Sequence, residues 1–130
     1  MKTGTKRPLI AVVEDDPDFR SMLCRWLKPR YRTTEFDSAE ALLESGGECA
    51  DARLIVTDVM MPGLSGFRLC RLLSAHPLYH HVPVIFLTGV RGARGFLRGL
   101  ESGGSAYMNK PVERMDFLDQ VEKLLDRDSL

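Results

Sequence analysis

The sequence predicts an α/β fold, a parallel sheet of five strands with helices wound over both faces. Three observations carry that expectation. Five short apolar runs, several rich in β-branched residues, alternate with segments of helical period, which is the signature of βα units. One run, Leu54 to Thr57, ends on a carboxylate, Asp58, with the turn residues Pro62 and Gly63 close behind. That delivers a reactive group to the crevice beyond the strand ends, where α/β proteins place their chemistry. The 130 residues make one ordinary domain, able to bury about two thirds of its unfolded surface. A single domain over residues 1–130 is expected, with its core from about residue 8 to about residue 127.

Leu9 to Val13 is the first strand. After it, Phe19, Met22, Leu23, Trp26 and Leu27 recur at helical spacing, with Asp16 as N-cap, Pro17 at the first helical position and Pro29 closing the helix. Trp26 lies on the apolar stripe and is expected in the core. Tyr31 to Phe36 reads as a second strand, polar enough for a sheet edge, and Ser38 caps a short helix through Leu43 that Gly46 and Gly47 end. Strand three is Leu54 to Thr57, and a third helix spans Leu64 to Leu73. A fourth strand covers Val82 to Leu87, with Pro83 tolerable near its start. Ala106 to Asn109 is a brief fifth strand, and Phe117, Leu118, Val121, Leu124 and Leu125 mark a closing helix before a polar end.

Eighteen basic and eighteen acidic residues give zero formal charge, which argues against a general nucleic-acid or membrane-surface binder. The cysteines, Cys24, Cys49 and Cys70, are odd in number and widely spaced, and they form no zinc pattern with His76, His80 or His81. A reduced, cytoplasmic chain is the simplest expectation. No apolar run approaches the ~20 residues of a membrane span, and the start Met-Lys-Thr-Gly lacks the apolar core of a secretion signal. His80 and His81, without acidic companions, read as solvent-facing loop residues.

Polar groups fall at the carboxyl ends of four strands: Glu14 with Asp15, Asp58, Thr88, and Lys110. Parallel strand ends converge. Three acids beside an ammonium and a hydroxyl suit a hard cation with oxygen ligands, such as Mg²⁺, and leave groups for a phosphoryl oxygen. A carboxylate there can take a phosphoryl group as an acyl phosphate if the metal, the lysine and the hydroxyl offset the charge on the transferring oxygens. Asp58 is the expected nucleophile.

These residues, Glu14-Asp15, Asp58 with Met61-Pro62 and Gly66, Thr88, and Tyr107 shortly before Lys110-Pro111, resemble the CheY-like response-regulator receiver domains of two-component signalling. The likeness runs from about Leu9 to the last helix. It implies a flavodoxin-like (βα)5 fold of strand order 2-1-3-4-5 and transfer of a phosphoryl group to Asp58 from a histidine kinase or phosphotransfer protein. It also implies Mg²⁺ held by Glu14, Asp15, Asp58 and the backbone carbonyl of Met60, and a cis peptide at Lys110-Pro111. Thr88 and Lys110 would contact the phosphoryl group, and Thr88 with Tyr107 would form the switch. The output surface would lie around a fourth helix, strand five and the closing helix, and would meet a downstream protein or a second copy. Met60 and Val90 would border the path of a hydrolytic water, so slow decay of the phosphorylated state is expected.

Simpler roles exist for most of these residues. Asp16 is a helix cap, Thr88 can cap the next helix, Lys110 can serve as an ion-pair partner alone, and Tyr107 is an edge-strand aromatic on composition. Arg91, Arg94 and Arg98 share one side of a segment weakened as a helix by Gly92, Gly95 and Gly99, each costing ~1 kcal/mol against alanine. They suit an acidic partner or a solvated face. Two rival functions are a phosphatase with a nucleophilic aspartate, which would want an acid where Met60 stands, and a nucleic-acid module using those arginines, which lacks a reading helix and a basic field.

Overall fold

A computed structural model describes residues 7–47, 49–89 and 103–128. The strands are β1 (Leu9–Val13), β2 (Arg32–Phe36), β3 (Ala52–Asp58), β4 (Val84–Thr88) and β5 (Ala106–Asn109). All pair in parallel in the order β2-β1-β3-β4-β5. The helices are α1 (Pro17–Leu27), α2 (Ala39–Leu43), α3 (Gly66–Ser74) and the closing α4 (Arg114–Asp128). The expected helix over residues 91–100, with Arg91, Arg94 and Arg98, lies outside the described residues, as does Val90.

Strand alternation divides the core in two. Ala11, Val13, Ile55, Val84 and Phe86 face the side where Leu42, Phe67, Leu69 and Leu73 of α2 and α3 pack. Ile10, Val12, Leu54, Val56, Ile85 and Leu87 face the side covered by Leu23 and Leu27 of α1 and by Phe117, Val121 and Leu124 of α4. Phe117 is fully buried, and a large apolar side chain so placed stabilises the fold by roughly 1.5–3 kcal/mol. Trp26 is only half-buried, packed at the rim with its ring centroid 6.0 Å from that of Phe117.

Several boundaries differ from the sequence pattern, each for a local reason. Tyr31 is not part of β2, because its N–H bonds the Leu27 carbonyl at 2.9 Å and its ring turns into the α1 face. The third helix begins at Gly66 rather than Leu64, since the Ser65 hydroxyl caps it by accepting the Arg68 N–H at 3.2 Å. β4 begins after Pro83, which has no N–H to give the ladder but whose carbonyl accepts Ile55 N–H at 3.0 Å. β3 begins two residues early because a bulge opposite Leu9 and Ile10 admits Arg53. The closing helix continues through the polar residues to Asp128. His80 and His81 are exposed, as read, and lie edge to face at 5.4 Å.

Candidate functional site

Parity decides which polar groups meet. Glu14 follows Val12 by two residues, Asp58 follows Val56 and Lys110 follows Met108, so all three continue the rows that face α1 and α4. Thr88 follows Phe86, and Tyr107 lies beside Phe86 in the ladder, so both continue the opposite row. The three charged groups therefore converge. Lys110 Nζ donates to Asp58 Oδ2 at 2.9 Å and stands 3.5 Å from Glu14 Oε1. Its ammonium also sits 4.5 Å from the centroid of the Phe19 ring, which α1 supplies from below. Asp58 Oδ1 accepts the Met60 N–H at 3.3 Å.

Glu14, Asp15 and Asp58 each place a carboxylate oxygen within 4.8 Å of the others. Asp15 is exposed, while Glu14 is 1% and Asp58 5% exposed. One oxygen of Glu14, Oε2, accepts the Asp16 N–H at 3.0 Å. The other, Oε1, is buried with no hydrogen-bond donor. Burial pushes the Glu14 carboxyl up to about 7; the Asp16 N–H pulls it back, the charge of Asp58 adds to the rise, and Lys110 only partly offsets it. Burial alone would lower the Lys110 ammonium, but the hydrogen bond and charge of Asp58, backed by Glu14, hold it above its usual value. The cluster is short of positive charge, and its donors are all oxygens, so the residues fit a hard divalent cation such as Mg²⁺.

The backbone around this cluster is tightly fixed. Val59 N–H bonds Leu87 O and Gly66 N–H bonds Val59 O, at 3.0 and 2.9 Å, so the loop after β3 is pinned at both ends. A Cβ on Gly66 would collide with the Asp58 carbonyl, which is why the turn requires glycine there. Lys110 N–H bonds Thr88 O at 2.8 Å, tying the exit of β5 to the end of β4, and the Lys110–Pro111 peptide is cis. Asp16 caps α1, accepting from Asp18 and Phe19 N–H. Met60 is 64% exposed at the mouth of the site. Thr88 is fully buried and Tyr107 half-buried against the α3 face.

Three contributors are not evident from the sequence. Phe19, read there only as apolar stripe, carries the Lys110 ammonium. Arg20 donates from Nη1 to the Glu14 carbonyl at 2.7 Å and from Nε to Glu35 at 3.2 Å, bracing the end of β1 from β2. Glu40, on α2, accepts the Leu64 N–H at 3.0 Å and so holds the loop that follows Asp58. Each joins segments distant in sequence; only the spacing of Phe19 one turn beyond the acids is a signal that sequence inspection can use.

A family model described as the response regulator receiver domain matches residues 10–122. Response regulator PleD of Caulobacter vibrioides is 36% identical over 117 residues, 88% of this chain and 25% of that protein. Hybrid signal transduction histidine kinase D of Dictyostelium discoideum is 30% identical over 120 residues, 92% of this chain but 8% of the kinase. Among solved structures, the Thermotoga maritima OmpR/PhoB homologue DrrB superposes with a TM-score of 0.84 at 29% identity, covering 93% of this chain and 54% of that one. The chain thus spans a quarter or less of these two curated relatives.

Proposed function

The chain belongs to the response-regulator receiver domains of two-component signalling, and from that premise we propose that it stores its signal as a phosphoryl group on Asp58. The observation that carries this reading is the convergence on Asp58. Its carboxylate ends β3 2.9 Å from Lys110 Nζ and within 4.8 Å of two further acids, one of which has a buried oxygen without a donor. Glu14, Asp15, Asp58 and the Met60 carbonyl are the groups that would hold Mg²⁺, which supplies neutralising charge to the phosphoryl oxygens.

An Asp58 oxygen attacks phosphorus of a phosphohistidine on a sensor kinase or phosphotransfer protein. The P–N bond breaks, its electron pair returns to the imidazole, and the ring nitrogen takes a proton from solvent. The product is an acyl phosphate. Lys110, already on Asp58, meets the negative charge that moves from the carboxylate to the phosphoryl oxygens, and Phe19 keeps its ammonium in place. Thr88, which ends β4 on the opposite row, would turn its hydroxyl toward a phosphoryl oxygen, and Tyr107 on the same row would respond to that turn. The output is a protein contact around β5 and α4, made with a downstream protein or a second copy. Met60, exposed at the mouth of the site, cannot act as acid or base, which disfavours a dedicated phosphatase.

Incubation with a small acyl or amido phosphate and Mg²⁺ should add one phosphoryl group by mass spectrometry. Asp58→Asn should lower incorporation at least ~100-fold, since the amide removes the carboxylate nucleophile that Lys110 faces, and chelation of the metal should do likewise. Undiminished incorporation in Asp58→Asn would refute the assignment.

A further inference from the structure

We propose that Glu40 is a positioning residue for the phosphorylation site, holding the loop after Asp58 in the shape that divalent-cation binding requires. The inference rests on the function proposed above. The loop is fixed by backbone bonds at Val59 and Gly66, but its middle, Met60 to Leu64, crosses in front of the site between those anchors. Within that stretch Met60 N–H bonds Asp58 Oδ1 at 3.3 Å and Leu64 packs against the α2–α3 face, and two further contacts tie it to its neighbours. Met61 buries its side chain in the α2–α3 face, and Glu40 reaches from α2 to accept the Leu64 N–H at 3.0 Å.

The same carboxylate shapes the turn before Leu64. Gly63 has φ +79°, a conformation that side chains rarely adopt, and a Cβ there would lie 2.5 Å from Glu40 Oε2. The positive φ is what favours glycine there, and the turn lies directly against the end of the Glu40 side chain. The Leu64 N–H also holds the Glu40 carboxyl below its usual range, keeping it charged at neutral pH, and a charged acceptor makes the stronger bond.

Met60 lies four residues before Leu64 and contributes both to the site: its N–H bonds Asp58 Oδ1 at 3.3 Å, and its carbonyl belongs to the proposed ligand set. A displacement of the turn moves that carbonyl and relaxes the hold on Asp58, and partners that orient ligands affect metal affinity well beyond their own bond strength. Nothing in this role requires Glu40 to touch metal or phosphoryl group. α2 is five residues long beside the edge strand β2, so whatever engages α2 also acts on the site through Glu40.

The test compares wild type, Glu40→Ala and Glu40→Gln by calorimetric titration with Mg²⁺ alone and by amide exchange at Leu64. The glutamine keeps an acceptor oxygen. Glu40→Ala should weaken Mg²⁺ binding by about 3- to 10-fold, below the usual range for partners bonded directly to ligands, and speed exchange at Leu64. Glu40→Gln should recover most of both. Thermal midpoints should stay close together, because Glu40 is on the surface. Wild type that binds no Mg²⁺ would refute the site itself. Wild type that binds normally, with Glu40→Ala equal to it or Glu40→Gln no better than Glu40→Ala, would overturn only the role of Glu40.

Discussion

The two ends of the sheet treat charge in opposite ways. At the amino end the arginines are each paired with a carbonyl or an acid. Arg7 Nη1 donates to the Lys28 carbonyl at 2.9 Å, and Arg32 Nε to the Arg7 carbonyl at 2.8 Å with Asp51 3.4 Å away. Arg30 pairs Glu122 at 3.2 Å. At the carboxyl end the acids Glu14, Asp15 and Asp58 are crowded and partly buried around Lys110, which stands 2.9 Å from Asp58 and only 3.5 Å from a buried Glu14 oxygen. Paired charges fasten chain segments together, whereas buried acids that share one lysine mark a place where the molecule gives up stability for chemistry.

The sharpest way to break this contrast is to remove the lysine. Lys110→Met should cost about 2–3 kcal/mol in metal-free protein at pH 8, because two buried acids lose their cation. Glu14 has a folded-state value raised to about 7, so the stability linked to its protonated form is fully present below its ordinary value and is lost as pH rises through 7. The variant should therefore recover the Glu14 share of its loss at pH 5.5. Denaturant unfolding at both pH values decides the matter, and an equal loss at each would mean that Lys110 acts by packing on Phe19 rather than by charge.

A smaller effect concerns the phosphorylated state. Met60 neither accepts a proton nor holds a water, so Met60→Asn should quicken decay of the phosphoprotein several-fold, of order 1 kcal/mol in barrier. Unchanged decay, followed by mass spectrometry as the loss of the base-labile phosphoryl group over time, would show that the exposed methionine does not limit water. At the opposite end, Arg32→Ala should destabilise by about 1 kcal/mol, the worth of its bond to Arg7 and its exposed pair with Asp51. Least of all, Asp15→Asn should raise metal-free stability by roughly 0.5 kcal/mol through relief of like charge, while Mg²⁺ should stabilise it less than wild type. Opposite signs for Arg32 and Asp15 would sharpen the contrast between the ends; a loss at both would erase it.

Much of this arrangement is legible in the sequence because strand patterning is local. The apolar runs locate the strands, parity follows from counting in twos, and Asp58, Glu14, Asp15, Thr88 and Lys110 then fall at strand ends by arithmetic. Boundaries shift where a single hydrogen bond decides, as at Tyr31 and Ser65. What counting cannot reach is contact across sequence distance. Glu40 and Leu64 are 24 residues apart, and nothing in either segment announces the other. Phe19 illustrates a subtler limit, since an apolar stripe says that a ring is covered but not that an ammonium covers it.

Net charge is zero, yet the charges are sorted, with Glu14, Asp15, Asp16, Asp18 and Asp58 toward one end of the strands and Arg7, Arg30 and Arg32 toward the other. Among the described residues, the acids at the carboxyl end outnumber Arg20 and Lys110, the bases that stand with them. Before a divalent cation binds, an anion diffusing toward Asp58 meets that local excess of acid over the last Debye length, about 8 Å at physiological ionic strength. For a small anionic phosphodonor meeting the metal-free site, added salt should speed the encounter, the reverse of a steered pair. A protein donor whose phosphohistidine is ringed by basic residues descends the same potential. Discrimination between the two thus begins in the approach, through the rate of collision, before any side chain of either molecule has touched the other.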